Sequence, residues 1–173
     1  MTAQSYRFEP LVRHYDRAAC SYGVPELDPY LQRQACQGMQ RNVAAVFVLI
    51  DSEAEGFADY ITLSATAIGL NDLPDEMVRR LPHYPDWPAV LLGRLAIDTR
   101  YRGRRLGELL LMDALARALT HSERIAALAV VVDAKGEAAV RFYRHYGFQP
   151  FGENSRRLFL PMQRIATVVS NER

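Results

Sequence analysis

The residues best suited to chemistry in this 173-residue chain are concentrated in one short basic segment. It holds four arginines and two glycines, at Arg100, Arg102, Gly103, Arg104, Arg105 and Gly107. Arginine binds phosphate through a planar fork of donors, and glycine lets a ligand approach the backbone closely. The segment is therefore a candidate site for a phosphorylated ligand, although a basic surface turn would contain the same residues.

Two regular elements are predicted to position this segment. Val90 to Ile97 is an apolar run of strand length, and Leu106 to Leu119 has apolar residues at helical spacing. The first N–H groups of a helix lack internal partners, and the helix dipole adds partial positive charge there. A strand followed by a basic loop and a helix start is thus an arrangement suited to an anion.

The rest of the chain alternates between predicted strands and helices. Strands are expected at 5–15 (strand or coil), Val43 to Ile50, Phe57 to Ala67, Ile125 to Val132, Phe148 to Phe151 and Arg157 to Met162. Helices are expected at Tyr30 to Gln37, Pro74 to Leu81 and Glu137 to Tyr146, with a loop at Leu81 to Pro88 and a loose tail from Thr167. This order predicts an α/β (or α+β) fold with a mixed sheet, as a single domain over residues 1–173.

Composition narrows the classes of function. A net charge of +1 gives no overall field for nucleic acid, so any such binding depends on local arginines. Two cysteines, with neither a metal-ligand spacing nor a secretory leader, predict reduced thiols, no metal and a cytoplasmic location. No apolar run is long enough to predict a membrane span.

A second segment completes a family resemblance. Residues 102–107 resemble the Q/R-x-x-G-x-G/A diphosphate loop of the GNAT family of N-acetyltransferases, with Arg105 in place of the usual middle glycine. Ala139, Phe142, Tyr143, Gly147 and Phe148 match that family's A-x-x-F-Y-x-x-x-G-F signature position by position. Together the two motifs indicate the GNAT fold, a mixed sheet with splayed central strands flanked by helices.

The resemblance implies acetyl-CoA as cosubstrate and assigns residues to it. Pantetheine would contact the backbone of Leu95, Ala96 and Ile97, with Asp133 nearby. The diphosphate would lie among Arg100, Arg102, Gly103, Arg104, Arg105, Leu106, Gly107 and Glu108. Tyr143 occupies the family's general-acid position, where it would protonate the departing thiolate. Periodicity alone would instead make Tyr143 a packing aromatic, as we expect for Tyr146.

The chain further resembles the acetyltransferase toxins of bacterial type II toxin–antitoxin systems over residues 27–162. The matching stretches are 27–35, 41–49, 60–65, 81–85 and 92–115. This resemblance implies acetylation of the α-amino group of an aminoacyl-tRNA, a ribbon-helix-helix antitoxin and a homodimer. Candidate contacts to the substrate are His83, Tyr84, Trp87, Arg33, Arg41, Arg79 and Arg80, although solvated arginines and aromatic anchors would account for them equally well.

Two other functions remain open on the sequence. An ordinary GNAT enzyme could acetylate a small amine or a protein N-terminus, and a neighbouring antitoxin gene would discriminate against it. The other is a non-catalytic module that binds acyl-CoA. The departure from the loop motif at Arg105 favours it, whereas the presence of Tyr143 at the general-acid position argues against it. His83, His145 and Asp98 are weak candidates for a general base.

Overall fold

The computed structural model describes residues 6–11, 34–53, 56–154 and 156–171, which form seven strands and five helices. The strands are β1 Tyr6–Pro10, β2 Ala45–Asp51, β3 Gly56–Gly69, β4 Asp86–Ile97, β5 Ala129–Asp133, β6 Gln149–Pro150 and β7 Arg157–Pro161. The helices are α1 Ala35–Gln40, α2 Asp75–Val78, α3 Leu106–Ser122, α4 Glu137–His145 and α5 Met162–Asn171. Single 3-10 turns occupy Leu70–Asp72 and Thr99–Tyr101.

The strands form one mixed sheet in the order β1-β2-β3-β4-β5-β7-β6. β4 and β5 are parallel, whereas β1–β2, β2–β3, β5–β7 and β6–β7 are antiparallel. The parallel register runs from the Ala89–Ala129 pair to the Leu92–Val132 pair, and β4 continues beyond it to Ile97. A mixed sheet flanked by helices confirms the predicted fold class, and the early end of the register is what splayed strands require.

The chain divides into two compact units. One comprises 1–64 and 93–113, and the other comprises 65–92 and 114–173. The core of the first unit includes Val46, Val48, Tyr60 and Ala96, with Met39 of α1 packed against it. The core of the second includes Ile68, Ala129, Val131, Phe151 and Phe159. Whether 1–173 is functionally a single domain remains a prediction.

The β2–β3 hairpin and the α4 terminus agree with the sequence. Gly56 pairs with Asp51 beside the hairpin turn, and Gly147 follows α4 with φ +94, the left-handed conformation expected at a helix end. No helix among the described residues is long and apolar enough to cross a bilayer. The first part of the helix predicted at Tyr30 to Gln37 lies outside the described residues.

Two expected strand starts were wrong. β5 begins at Ala129, because the Ile125 N–H bonds to the His121 carbonyl in the turn that ends α3, which leaves Ile125 66% exposed. β4 begins at Asp86, inside the expected loop. Pro88 is tolerated there because the β5 register starts one residue later, and its carbonyl accepts the Leu128 N–H at 2.7 Å.

The C-terminal segment was also predicted wrongly, as a loose tail. It forms α5, whose first N–H, from Met162, donates to the Leu128 carbonyl at 2.8 Å, and whose Ile165 is fully buried. Polar residues obscured the apolar spacing that orients this helix toward the core.

Ile165→Ala is therefore expected to lower the free energy of unfolding by roughly 2–5 kcal/mol, since it removes buried methyl groups and leaves a cavity. Denaturant titration measures the change. The exposed neighbour Thr167 provides the matched control, and Thr167→Ala should change stability by less than about 0.5 kcal/mol. Equal effects of the two substitutions would mean that α5 is not docked through Ile165.

Candidate active site

The predicted strand, basic loop and helix are all present. β4 ends at Ile97, and the Asp98 side chain caps the following 3-10 turn by accepting the Arg100 N–H at 2.9 Å. Helix α3 begins at Leu106, three residues after Gly103. The loop thus delivers the chain to the first amides of a 17-residue helix, where the dipole favours negative charge.

Two residues of this loop have left-handed backbone. Gly103 has φ +81, and a Cβ placed there would meet no atom within 4 Å. Arg105 has φ +59, so it adopts the conformation that the usual glycine would supply, at a cost of about 1–2 kcal/mol. Its side chain is 83% exposed, and its Nη2 lies 2.9 Å from Glu108 Oε2. The side chain at this unusual position therefore points to solvent.

Two of the loop arginines, Arg100 and Arg104, contact side chains of neighbouring residues. Arg100 Nε and Nη2 bind the two oxygens of Asp98 at 3.0 and 3.1 Å. Arg104 lies over the Tyr101 ring at 5.0 Å from its centroid, and the buried Tyr101 hydroxyl donates to Asp51 at 3.2 Å. Arg102, Gly103 and Arg104 are exposed, and the Arg104 side chain also hydrogen-bonds that of Tyr6, so this part of the loop is accessible to a phosphorylated ligand.

The other cofactor candidates of this unit lie directly beside the loop. Leu95, Ala96 and Ile97 form the end of β4 beyond its register with β5, which suits backbone contact with an extended ligand. Leu106 and Gly107 are buried at the start of α3, and Glu108 is half-buried. Open space at Gly103, exposed arginines and helix amides together fit a diphosphate.

Sequence reasoning missed the buried carboxylates beneath this loop. Asp59 in β3 and Asp51 in β2 are 0% and 2% exposed, and Asp59 Oδ1 accepts the Asp98 N–H at 2.8 Å. Burial, with repulsion from Asp98, raises the pKa of Asp59 to about 7, against the opposing effect of that hydrogen bond. An aspartate inside an apolar strand was the one available signal.

Tyr143 lies on the buried face of α4 and is 9% exposed. Its ring contacts Phe142 and Phe148, both at 5.3 Å between centroids. Burial raises the pKa of its hydroxyl well above the usual value near 10. Tyr146 packs against Phe142 at 5.2 Å. Tyr143 is thus a phenol that stays protonated across the physiological range.

Asp133 ends β5, opposite Arg157 in the β5–β7 register. Its side chain is 55% exposed, and its Oδ1 lies 3.7 Å from Arg157 Nε. Asp133 therefore presents a carboxylate at a strand end but already has a cationic neighbour.

The substrate candidates are mostly surface residues. His83 and Tyr84 are exposed, while Trp87 packs against the core of its unit and touches the Tyr84 ring at 5.6 Å. Trp87 thus has the contacts of an aromatic anchor. The candidate arginines Arg41, Arg79 and Arg80 are exposed, and Arg33 lies outside the described residues. Within the described ranges, no group of three His, Cys, Asp or Glu side chains could hold a metal ion.

The raised pKa of Asp59 predicts a specific pH dependence of stability. An unfolded aspartate titrates near 3.9, so between about pH 4 and 7 the folded protein binds the extra proton. The stabilising contribution of that proton is complete below pH 4 and is lost as the pH rises to 7, by about 1.4 kcal/mol per unit.

Asp59→Asn removes this titration. Denaturant titrations at pH 5, 6 and 7 should show the stability of the wild type, relative to Asp59→Asn, falling by roughly 2 kcal/mol over that range. Parallel pH curves for the two proteins would contradict the assignment.

Comparisons with known proteins agree with this geometry. The acetyltransferase (GNAT) domain family matches residues 43–150, more than half of the chain. The tRNA-acetylating toxin of Mycobacterium tuberculosis is 30% identical over 157 residues, covering 90% of this chain and 92% of that protein.

Two solved structures share the fold over nearly the whole chain. AtaT complexed with acetyl-methionyl-tRNAfMet superposes with a TM-score of 0.88 at 26% identity, covering 95% of this chain and 99% of the other. AtaTR bound with acetyl-CoA superposes with a TM-score of 0.82 at 27% identity, covering 94% and 97%. With its family match, its mixed sheet and its loop before α3, the chain belongs to the GNAT family of acetyltransferases.

Proposed function

We propose that this enzyme transfers an acetyl group from acetyl-CoA to the α-amino group of an aminoacyl-tRNA, and that it thereby blocks translation as a toxin. The loop between β4 and α3 is the observation that carries the proposal, because it offers arginine side chains and helix amides to one diphosphate. The substrate class is supported by the 30% identical relative, which is a tRNA-acetylating toxin.

In this proposal, Arg102, Arg104 and the amides from Gly103 to Glu108 bind the diphosphate of acetyl-CoA. The Leu95, Ala96 and Ile97 backbone contacts the pantetheine, and Asp133 supplies a further polar contact. Arg100 acts indirectly, because its guanidinium is bound to Asp98. Arg105 supplies the left-handed turn, with its side chain in solvent.

Tyr143 acts as the general acid. The neutral amine attacks the thioester carbonyl, the C–S bond of the tetrahedral intermediate breaks, and Tyr143 donates its phenolic proton to the leaving sulfur. The proton that the acylated nitrogen loses then restores the phenol. Burial raises the pKa of Tyr143 above the ordinary phenol value near 10, so this acid is protonated in the resting enzyme at pH 7. Because an α-amino group titrates near 8, a useful neutral fraction exists at pH 7 without a general base.

Recognition of the tRNA would depend on local charge, since the chain as a whole carries only +1. Arg33, Arg41, Arg79 and Arg80, with His83, Tyr84 and Trp87, are the proposed contacts. The same low charge favours a small amine as the second candidate substrate. A ribbon-helix-helix antitoxin, a homodimer and a cytoplasmic location complete the toxin proposal, and an adjacent antitoxin gene would support it.

Tyr143→Phe tests the acid. The rate of acetyl transfer to charged tRNA from labelled acetyl-CoA should fall by roughly 100-fold or more, since a positioned acid contributes about that factor. Expression of the wild type should arrest growth of a bacterial host, and the variant should relieve the arrest. Tyr146→Phe, at the residue that directly follows α4, is the matched control and should retain the wild-type rate within about threefold.

Equal growth with wild type and Tyr143→Phe would remove the toxin proposal. Equal transfer rates would remove Tyr143 as the acid while leaving the enzyme class in place.

The pH profile gives an independent check on Tyr143. As the pH rises, kcat/KM should increase while the amine deprotonates, and should then stay level to about pH 10, because burial keeps the phenol protonated. A descending limb with a midpoint below 10 that disappears in Tyr143→Phe would show that the phenol titrates normally.

A further inference from the structure

Asp59 is a buried acid for which the proposed chemistry gives no direct role. It lies in β3, is 0% exposed, and follows Phe57 and Ala58 in the strand. Its Oδ1 accepts the Asp98 N–H at 2.8 Å across 39 residues of chain. Its Oδ2 is buried and has no hydrogen-bond partner among the described residues.

Asp98, whose N–H is bound by Asp59, is hydrogen-bonded to the start of the loop. Asp98 is 1% exposed and directly precedes the 3-10 turn that leads toward α3. Its carboxylate binds the Arg100 backbone N–H at 2.9 Å, and its two oxygens bind the Arg100 guanidinium at 3.0 and 3.1 Å. The hydrogen bond that the Asp98 N–H donates to Asp59 therefore fixes the residue that shapes the first turn of the diphosphate loop.

Stability alone is a poor explanation for Asp59. A buried carboxyl group with one unpaired oxygen is costly, and apolar residues of similar volume often serve a core equally well or better. The pKa of about 7 shows the same cost, because burial disfavours the charged form. What an apolar residue cannot do is accept the Asp98 N–H.

We propose that Asp59 is a positioning residue for acetyl-CoA, which sets the diphosphate loop by holding the backbone of Asp98 from β3. This inference rests on the proposed function, in which that loop binds the diphosphate. Small displacements of such donors reduce binding strongly, because each donor must be aimed in advance.

Two substitutions separate positioning from packing. Asp59→Val suits a strand and is only modestly larger than aspartate, but it cannot accept a hydrogen bond, whereas Asp59→Asn retains the acceptor. The probes are coenzyme A, measured by calorimetry, and S-acetylpantetheine, which lacks the diphosphate, measured by ligand-observed NMR. Val48→Ala, in the core of the same unit, controls for general destabilisation.

Asp59→Val should weaken coenzyme A binding at least tenfold and S-acetylpantetheine binding less than twofold. Asp59→Asn and Val48→Ala should bind coenzyme A within threefold of the wild type. If Asp59→Val does not fold, Asp59→Ala provides the second variant without an acceptor. If both Asp59→Val and Asp59→Ala fail to fold, hydrogen exchange of the Asp98 amide is measured in Asp59→Asn. Because this variant keeps the acceptor, its Asp98 amide should exchange as slowly as in the wild type.

Three results would overturn the inference alone: unchanged coenzyme A binding in Asp59→Val, equal weakening for both probes, or the same loss in Val48→Ala. Faster Asp98 exchange in Asp59→Asn would do so as well. A wild-type chain that does not bind coenzyme A would overturn the proposed function together with this inference.

Discussion

A surface loop can hold a diphosphate tightly only if its donors are already aimed before the ligand arrives. In this chain, we propose that carboxylates buried in neighbouring strands fix the positions of these donors. Asp59 holds the Asp98 amide, Asp98 holds Arg100, and Asp51 accepts the Tyr101 hydroxyl beneath the Arg104 guanidinium. The exposed part of the loop is therefore connected to a layer of hydrogen-bonded carboxylates, and the cofactor role proposed for the loop depends on that layer.

A different constraint governs Tyr143. A general acid, the role proposed for Tyr143, must stay protonated until the leaving group needs the proton, and burial against Phe142 and Phe148 favours this by raising the pKa of the phenol. The same burial limits access, because only a small part of the residue reaches solvent. The proposed chemistry thus requires the thioester itself to reach the phenol, and water to be largely excluded.

The sequence predicted those strands and helices that are marked by patterns among residues close together in the chain. The apolar run before Asp98, the helical spacing after Arg105 and the glycine after α4 each fixed an element. The true starts of β4 and β5 were missed, because whether Pro88 and Ile125 belong to a strand depends on backbone hydrogen bonds to residues distant from them or in the preceding helix. Asp59 was missed for the same reason, since its partner lies 39 residues away.

Arg105 shows where a family resemblance and physical reasoning complement each other. The motif marked the position as unusual, and its φ of +59 explains why glycine is common there. Only the structure could show that the arginine keeps this conformation while its guanidinium extends to Glu108.

The central claim is that this loop delivers acetyl-CoA to an aminoacyl amine. The most direct measurement incubates the purified chain with labelled acetyl-CoA and total charged tRNA, digests the RNA, and identifies the labelled products by mass spectrometry. The expected labelled product is N-acetyl-aminoacyl-adenosine. Label recovered only on polyamines, other small amines or protein N-termini would contradict it.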